Sequence, residues 1–113
     1  MPYVSKSVGT SPVTFASIPK VSRAKPTGLK IHNADTNDRV LTGTDVFTPD
    51  PSVNVSSPTA QTQQWLQISV GSQLTADIPR SEVEEARLLG DVKFAADSVT
   101  ANSPVVSLFY ELE

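Results

Sequence analysis

Apolar and polar residues alternate with a period of two over most of this chain, the pattern of strands that bury one face. The clearest case is Leu88–Glu113. Val92, Phe94 and Ala96 alternate there with Asp91, Lys93 and Asp97, and Val106, Leu108, Tyr110 and Leu112 alternate with Ser107, Phe109 and Glu111. With Ser98–Ser103 between the two runs, this spacing predicts a closing β-hairpin. Val105 and Phe109 put apolar groups on the second face of the last strand. That strand is therefore expected to be central in a sheet or covered by the rim of a second sheet, the N-terminal segment or a neighbouring subunit.

The same period predicts short strands over Tyr3–Val8 and Val13–Ile18, a third over Leu29–Asn33, and a long fourth over Arg39–Phe47, where Gly43 marks a bulge or a close backbone approach. Gln64–Val70 and Gln73–Ile78 follow, joined by a tight turn at Gly71-Ser72. In Gln64–Val70 the residues Leu66, Ile68 and Val70 share a face, which sets Trp65 on the other. Trp65 is then either an exposed anchor for a sugar or a protein, or a ring packed at the rim of the fold. The second is favoured because Trp is highly buried on average.

Between these runs, Pro19–Gly28 spaces basic residues between prolines and reads as an extended connector, and Asn33–Asp38 reads as an Asx-rich turn. Ser81 with Glu84 three residues on has the capping-box pattern of a short helix near 81–87. Thr48–Gln63 has three prolines, one charge and two isolated valines, Val53 and Val55. A connection that long is either a contact surface or a crossover from one sheet to the other, lying flat on the sandwich.

Composition sharpens the class. The 113 residues include nine prolines, five glycines and no cysteine, which favours many short strands and removes disulfides, thiolate metal sites and thiol nucleophiles. The expected fold is all-β: a single antiparallel β-sandwich or barrel-like domain with that one short helix. Residues 1–27 form an extended basic N-terminal arm plus edge strands, and residues 28–113 form the body. Met1–Lys6 lacks the apolar run of a secretory signal, and no stretch approaches the roughly 18 apolar residues of a membrane helix, so a chain made in the cytoplasm and not in a membrane is expected.

Charge is unevenly placed. Lys6, Lys20, Arg23, Lys25 and Lys30 all precede the first acid, Asp35, whereas the rest of the chain sets four cations against twelve acids. Such a basic segment either seeks an acidic partner or covers its own acidic body. Nucleic acid is not expected, because the cations are spread from Lys6 to Lys30 with only Tyr3 and Phe15 to stack among them.

Catalytic chemistry finds few parts. The single histidine, His32, is predicted on an outward strand face beside Lys30, with no G-x-S-x-G turn to supply a nucleophile. Asp35-Thr36-Asn37-Asp38 resembles an acidic calcium loop, but Val40 and Val46 stand where an EF-hand needs Gly and Glu. A looser calcium site using Asp35, Asp38 and Asp45 is the alternative to an ordinary turn. Glu82, Glu84 and Glu85 fit the first turn of a helix better than a catalytic carboxylate pair, and no cofactor is expected.

The Thr/Ser/Val-rich cysteine-free strands, the basic Pro19–Pro26 segment, the polar Thr48–Gln63 stretch and a last strand over Val105–Leu112 together resemble the small β-sandwich decoration or cement proteins of tailed-phage virions. That resemblance implies a non-enzymatic body that binds an assembled capsid lattice, as a dimer or trimer, and reinforces it in the particle. It implies contacts from Lys6, Lys20, Arg23 and Lys25 in a terminal arm, with Val53, Val55 and Trp65 as apolar contacts; Phe109 is the further position where a partner would leave its mark. A carbohydrate- or ligand-binding β-sandwich, with Trp65 and Tyr3 or Tyr110 as its platform, is the alternative.

Overall fold

The computed structural model describes residues 3–19, 22–48 and 59–113. Its elements in chain order are β1 (Tyr3–Ser7), β2 (Val13–Ser17), β3 (Ala24–His32), β4 (Arg39–Phe47), β5 (Gln61–Val70), β6 (Thr75–Ile78), α1 (Arg80–Val83), β7 (Asp91–Ala96) and β8 (Val105–Leu112). They make two four-stranded antiparallel sheets, ordered β1-β8-β3-β6 and β2-β7-β4-β5. The all-β sandwich with one short helix is the expected class.

The inner faces follow the alternation. Leu29, Ile31, Val106 and Leu108 enter the core from the first sheet, and Leu41, Val70, Val92 and Phe94 from the second; all are buried. Phe94 holds the middle of the second sheet's inner face. The rings of Phe15 and Trp65 stand edge-on to it, with centroids 4.9 and 5.7 Å away, the geometry that sets the positive edge of one ring against the negative face of another.

The connectivity differs from expectation in three places. β7 and β8 do not form a hairpin: β7 belongs to the second sheet and β8 to the first, so residues 97–104 carry the chain across the sandwich. The Gly71-Ser72 turn likewise joins β5 in one sheet to β6 in the other. The long connection after β4 behaves in the opposite way, because β4 and β5 pair with each other from Arg39↔Val70 to Phe47↔Gln61. It is the loop of a hairpin, and of the links between consecutive strands it alone stays within one sheet.

Local departures have local causes. The expected connector is already strand from Ala24 onward, and Pro26 is tolerated in it because β3 bulges between Pro26 and Gly28. On the side away from β8, β3 is bridged to Leu88 at Ala24 and paired with β6 over Leu29–His32; Pro26 lies between these two contacts, where a missing N–H breaks no ladder bond. The helix is a single turn, Arg80–Val83, where 81–87 was expected, and its N-cap is Pro79, two residues before Ser81, with no side-chain cap, so Ser81 does not close the expected capping box. Arg80 instead pairs with Glu84 at 3.1 Å.

Candidate functional site

Asn33–Arg39, Gly71–Leu74 and Asp97–Asn102 converge at one end of the sandwich around a buried carboxylate. Asp35 is fully buried. Its Oδ1 accepts the backbone N–H groups of Thr36 and Ala101, both at 2.8 Å, and its Oδ2 accepts the Thr100 N–H at 2.9 Å and the Arg39 Nε–H at 2.7 Å. Arg39 also donates to the Ser98 and Thr100 hydroxyls. The N–H groups of Thr100 and Ala101, then the Arg39 guanidinium and the Thr36 N–H, hold the Asp35 carboxyl far below the usual carboxylate range, against the opposing effect of burial.

Asn33 completes the knot. Its amide donates to the Val70 carbonyl at 2.9 Å, the Asn37 carbonyl at 3.0 Å and the Gly71 carbonyl at 3.2 Å, while its oxygen accepts the Asp35 N–H at 3.0 Å. Ser72 adds a hydroxyl bond to the Asp35 carbonyl, and its N–H reaches Asp38 at 2.9 Å. A calcium ion does not fit this cluster, because the Asp35 oxygens already face N–H donors and a guanidinium. Among the described residues no group of three or more acids or histidines is placed to hold a metal ion.

A second buried acid, Asp45, sits at the other end of β4. Its Oδ2 accepts the Leu89 N–H at 2.8 Å and the Gln63 amide at 2.9 Å, and its Oδ1 accepts the Gly90 N–H at 2.9 Å. The inward side of this acid was legible, since residues 41, 43 and 45 share a strand face; its distant partners were not. His32 is exposed, with Nδ1 2.8 Å from the Thr75 hydroxyl.

The basic residues are engaged on their own body. Lys6 donates to the Thr14 carbonyl at 2.8 Å and lies 6.0 Å from the Phe15 ring centroid, tying the β1 edge of one sheet to the β2 edge of the other. Arg23 approaches Glu113 at 3.4 Å, Lys25 approaches Glu111 at 3.3 Å, and Lys30 approaches Asp77 at 3.6 Å. Of the two roles weighed for this segment, covering its own acidic body matches these pairs. Lys20, Val53 and Val55 lie outside the described residues.

Trp65 is turned inward, not outward. The β4–β5 register slips between Gly43 and Thr44, which pair with Leu66 and Gln64. Trp65 is the extra residue of that bulge, so its side chain falls on the same side as Leu66. It packs against the core, and its indole N–H is buried without a partner. A Cβ on Gly43 would come within 2.9 Å of Phe94 and 3.3 Å of both Leu66 and Trp65, which is the close approach its position suggested.

Phe109 is covered by the N-terminal strand. Tyr3 pairs with it across β1 and β8, and the two rings stack at 5.2 Å and 15° on the outer face of the first sheet. Gly28 faces Phe109 from the other side, with room for the ring. Tyr3 itself is 61% exposed.

The four sheet edges are not alike. β1 and β2 are five residues long and β6 is four; β1 carries Lys6, β6 carries Asp77, and β2 is bulged and flanked by Pro12 and Pro19. Short length, charge, proline and bulging all discourage a foreign strand from pairing. β5 is ten residues long, QTQQWLQISV, with no charge and no proline, and no described strand pairs with its outer margin. This is the surface that sequence reasoning passed over. The uncharged run from Gln61 to Val70 was visible, but its edge position was not.

No family model matches this chain, and neither a curated protein nor a solved structure matches it significantly.

Proposed function

We propose that this chain is a non-enzymatic structural protein that binds and stabilises a larger protein assembly, with decoration of a viral capsid as its specific form and the assembled particle as its location. One observation carries this reading: the longest sheet edge, β5, is uncharged, proline-free and unpaired among the described strands, and it follows directly on the 48–60 connection. A free edge offers main-chain hydrogen bonds to another protein without needing a pocket.

Two further features support it. The buried acids Asp35 and Asp45 are taken up by backbone N–H groups that fix loops. The cations Lys6, Arg23 and Lys25 pair with groups of their own body, which supports contacts through the β5 margin, between copies of the chain, and through the adjoining connection, toward the assembly, over contacts through a basic arm. The carbohydrate alternative draws less support, because Trp65 packs inward and the Tyr3 and Phe109 rings face each other.

Quantitative mass spectrometry of purified particles from the source tests the proposal, followed by adding tagged chain back to stripped particles. A fixed copy number per particle and saturable rebinding are expected. A chain confined to the soluble fraction, with no rebinding, would overturn it.

A further inference from the structure

We propose that β5 pairs with β5 of a second copy of this chain, antiparallel and about a two-fold axis that passes between Trp65 and Leu66. The partner follows from the strand's own pattern. The outer-face residues of β5 are Thr62, Gln64, Gln67 and Ser69, opposite Val46, Thr44, Thr42 and Val40 of β4; the four β5 residues are exposed. An axis between residues 65 and 66 sets Gln64 of one copy beside Gln67 of the other, and Thr62 beside Ser69. Each outer-face pair then matches one neutral hydrogen-bonding side chain with another, which is a favourable cross-strand combination.

The bulge favours this register. A bulge in the middle of an edge strand breaks a continuous ladder and discourages an arbitrary partner. Here Trp65 lies at the midpoint, so the axis brings bulge against bulge and leaves two equivalent ladders, 61–64 of each copy against 67–70 of the other. The bulge also keeps the faces in phase: 62 and 64 before it, and 67 and 69 after it, all point outward. A two-fold contact has to be self-complementary, and a strand with no charged residue meets its own image without like-charge repulsion. β1 and β6, with Lys6 and Asp77 on their margins, lack that freedom. The product is one continuous eight-stranded sheet spanning two sandwiches.

The inference rests on the assembly reading for its purpose but not for its geometry, and the two fail separately. Sedimentation of the full chain at about 100 μM should give twice the chain mass. Gln64→Lys/Gln67→Lys places lysines opposite each other in both ladders and should weaken the dimer about tenfold or more. Both positions are exposed, so the fold should be kept, as circular dichroism will show. Mixing this variant with Gln64→Glu/Gln67→Glu should restore a dimer containing one chain of each. Gln64→Cys/Gln67→Cys should form an interchain disulfide-linked dimer on oxidation, with no background because the chain has no cysteine. A monomer at every concentration, or a dimer unaffected by the lysines, would overturn β5 pairing while leaving particle binding to its own test. Absence from particles with a β5 dimer intact would overturn only the proposed function.

Discussion

Asp45 gives the sharpest test of how this interior is held together. Its carboxylate takes three donors, and two of them, the N–H groups of Leu89 and Gly90, belong to the segment that leads into β7. That segment cannot swing away, because it is pressed on β4: a Cβ on Gly90 would lie 2.1 Å from the Val46 carbonyl oxygen. Asp45→Ala therefore strands two backbone donors, while Gln63, only half-buried, can turn to solvent. At about 1–3 kcal/mol for each buried donor left without a partner, the loss should be about 2–6 kcal/mol, a large share of the roughly 5–15 kcal/mol that stabilises a domain.

Asp45→Asn separates this account from a mere loss of volume. One amide oxygen can still serve Leu89 and Gln63, leaving the Gly90 N–H facing an NH₂, so one donor is lost and the cost falls to about 1–3 kcal/mol. Urea unfolding followed by the emission of Trp65, the only tryptophan and packed on Phe94, measures both variants. Hydrogen exchange supplies the local readout: the Leu89 and Gly90 amides should lose protection in Asp45→Ala, and the Gly90 amide chiefly in Asp45→Asn. An alanine variant less than about 1 kcal/mol below wild type, with an unchanged urea slope, would refute the reasoning.

Three further outcomes follow from the geometry. The Asp35 carboxyl is held below its ordinary value of 3.8, so its contribution to stability is complete above that value and is lost as pH falls below it; melting scans from about pH 7 to about pH 2.5 should show an acid decline that is shallower in Asp35→Asn. Gly90→Ala forces the Val46 carbonyl aside and should cost about 1–3 kcal/mol or more in urea, whereas Gly9→Ala, with nothing within 4 Å of its added Cβ, should change little. Trp65→Phe removes a buried indole N–H that has no partner, so its melt should move by less than about 1.5 kcal/mol despite the lost volume, while Trp65→Ala costs clearly more.

Much of this fold was legible as faces and little of it as neighbours. Alternation named Val92, Phe94 and Ala96, and Val106 and Leu108, as residues of one buried face, and it marked Gly43 as a bulge or a place of close approach. Period two cannot say whether the apolar face of β7 meets that of β8 from the side or from across the core, since both arrangements bury the same residues. The bulges escaped for another reason. A single unpaired residue reverses the phase of everything beyond it, so Trp65, outward by simple counting from Leu66, comes in. For the binding surface, composition showed the uncharged β5 but could not show that it ends a sheet.

The crossing topology explains why the Asp35 cluster is so densely bonded. Apart from β4 to β5, every strand hands the chain to the opposite sheet, so those links cannot rest on a tight hairpin turn. Three of them, or their flanks, meet at one end: Asn33–Arg39 between β3 and β4, Gly71–Leu74 between β5 and β6, and Asp97–Asn102 between β7 and β8. Each brings buried N–H and carbonyl groups that need partners away from any ladder. Asp35 and Asn33 supply partners to all three at once, accepting from Thr100 and Ala101 and donating to Val70 and Gly71. Breaking that centre should therefore loosen the three crossovers together, whereas the β4–β5 hairpin, held by its own ladder, should keep its protection. Among the described edge strands, that leaves β5, long, uncharged and paired with β4 alone, as the margin best able to take up another strand without disturbing the rest of the sandwich.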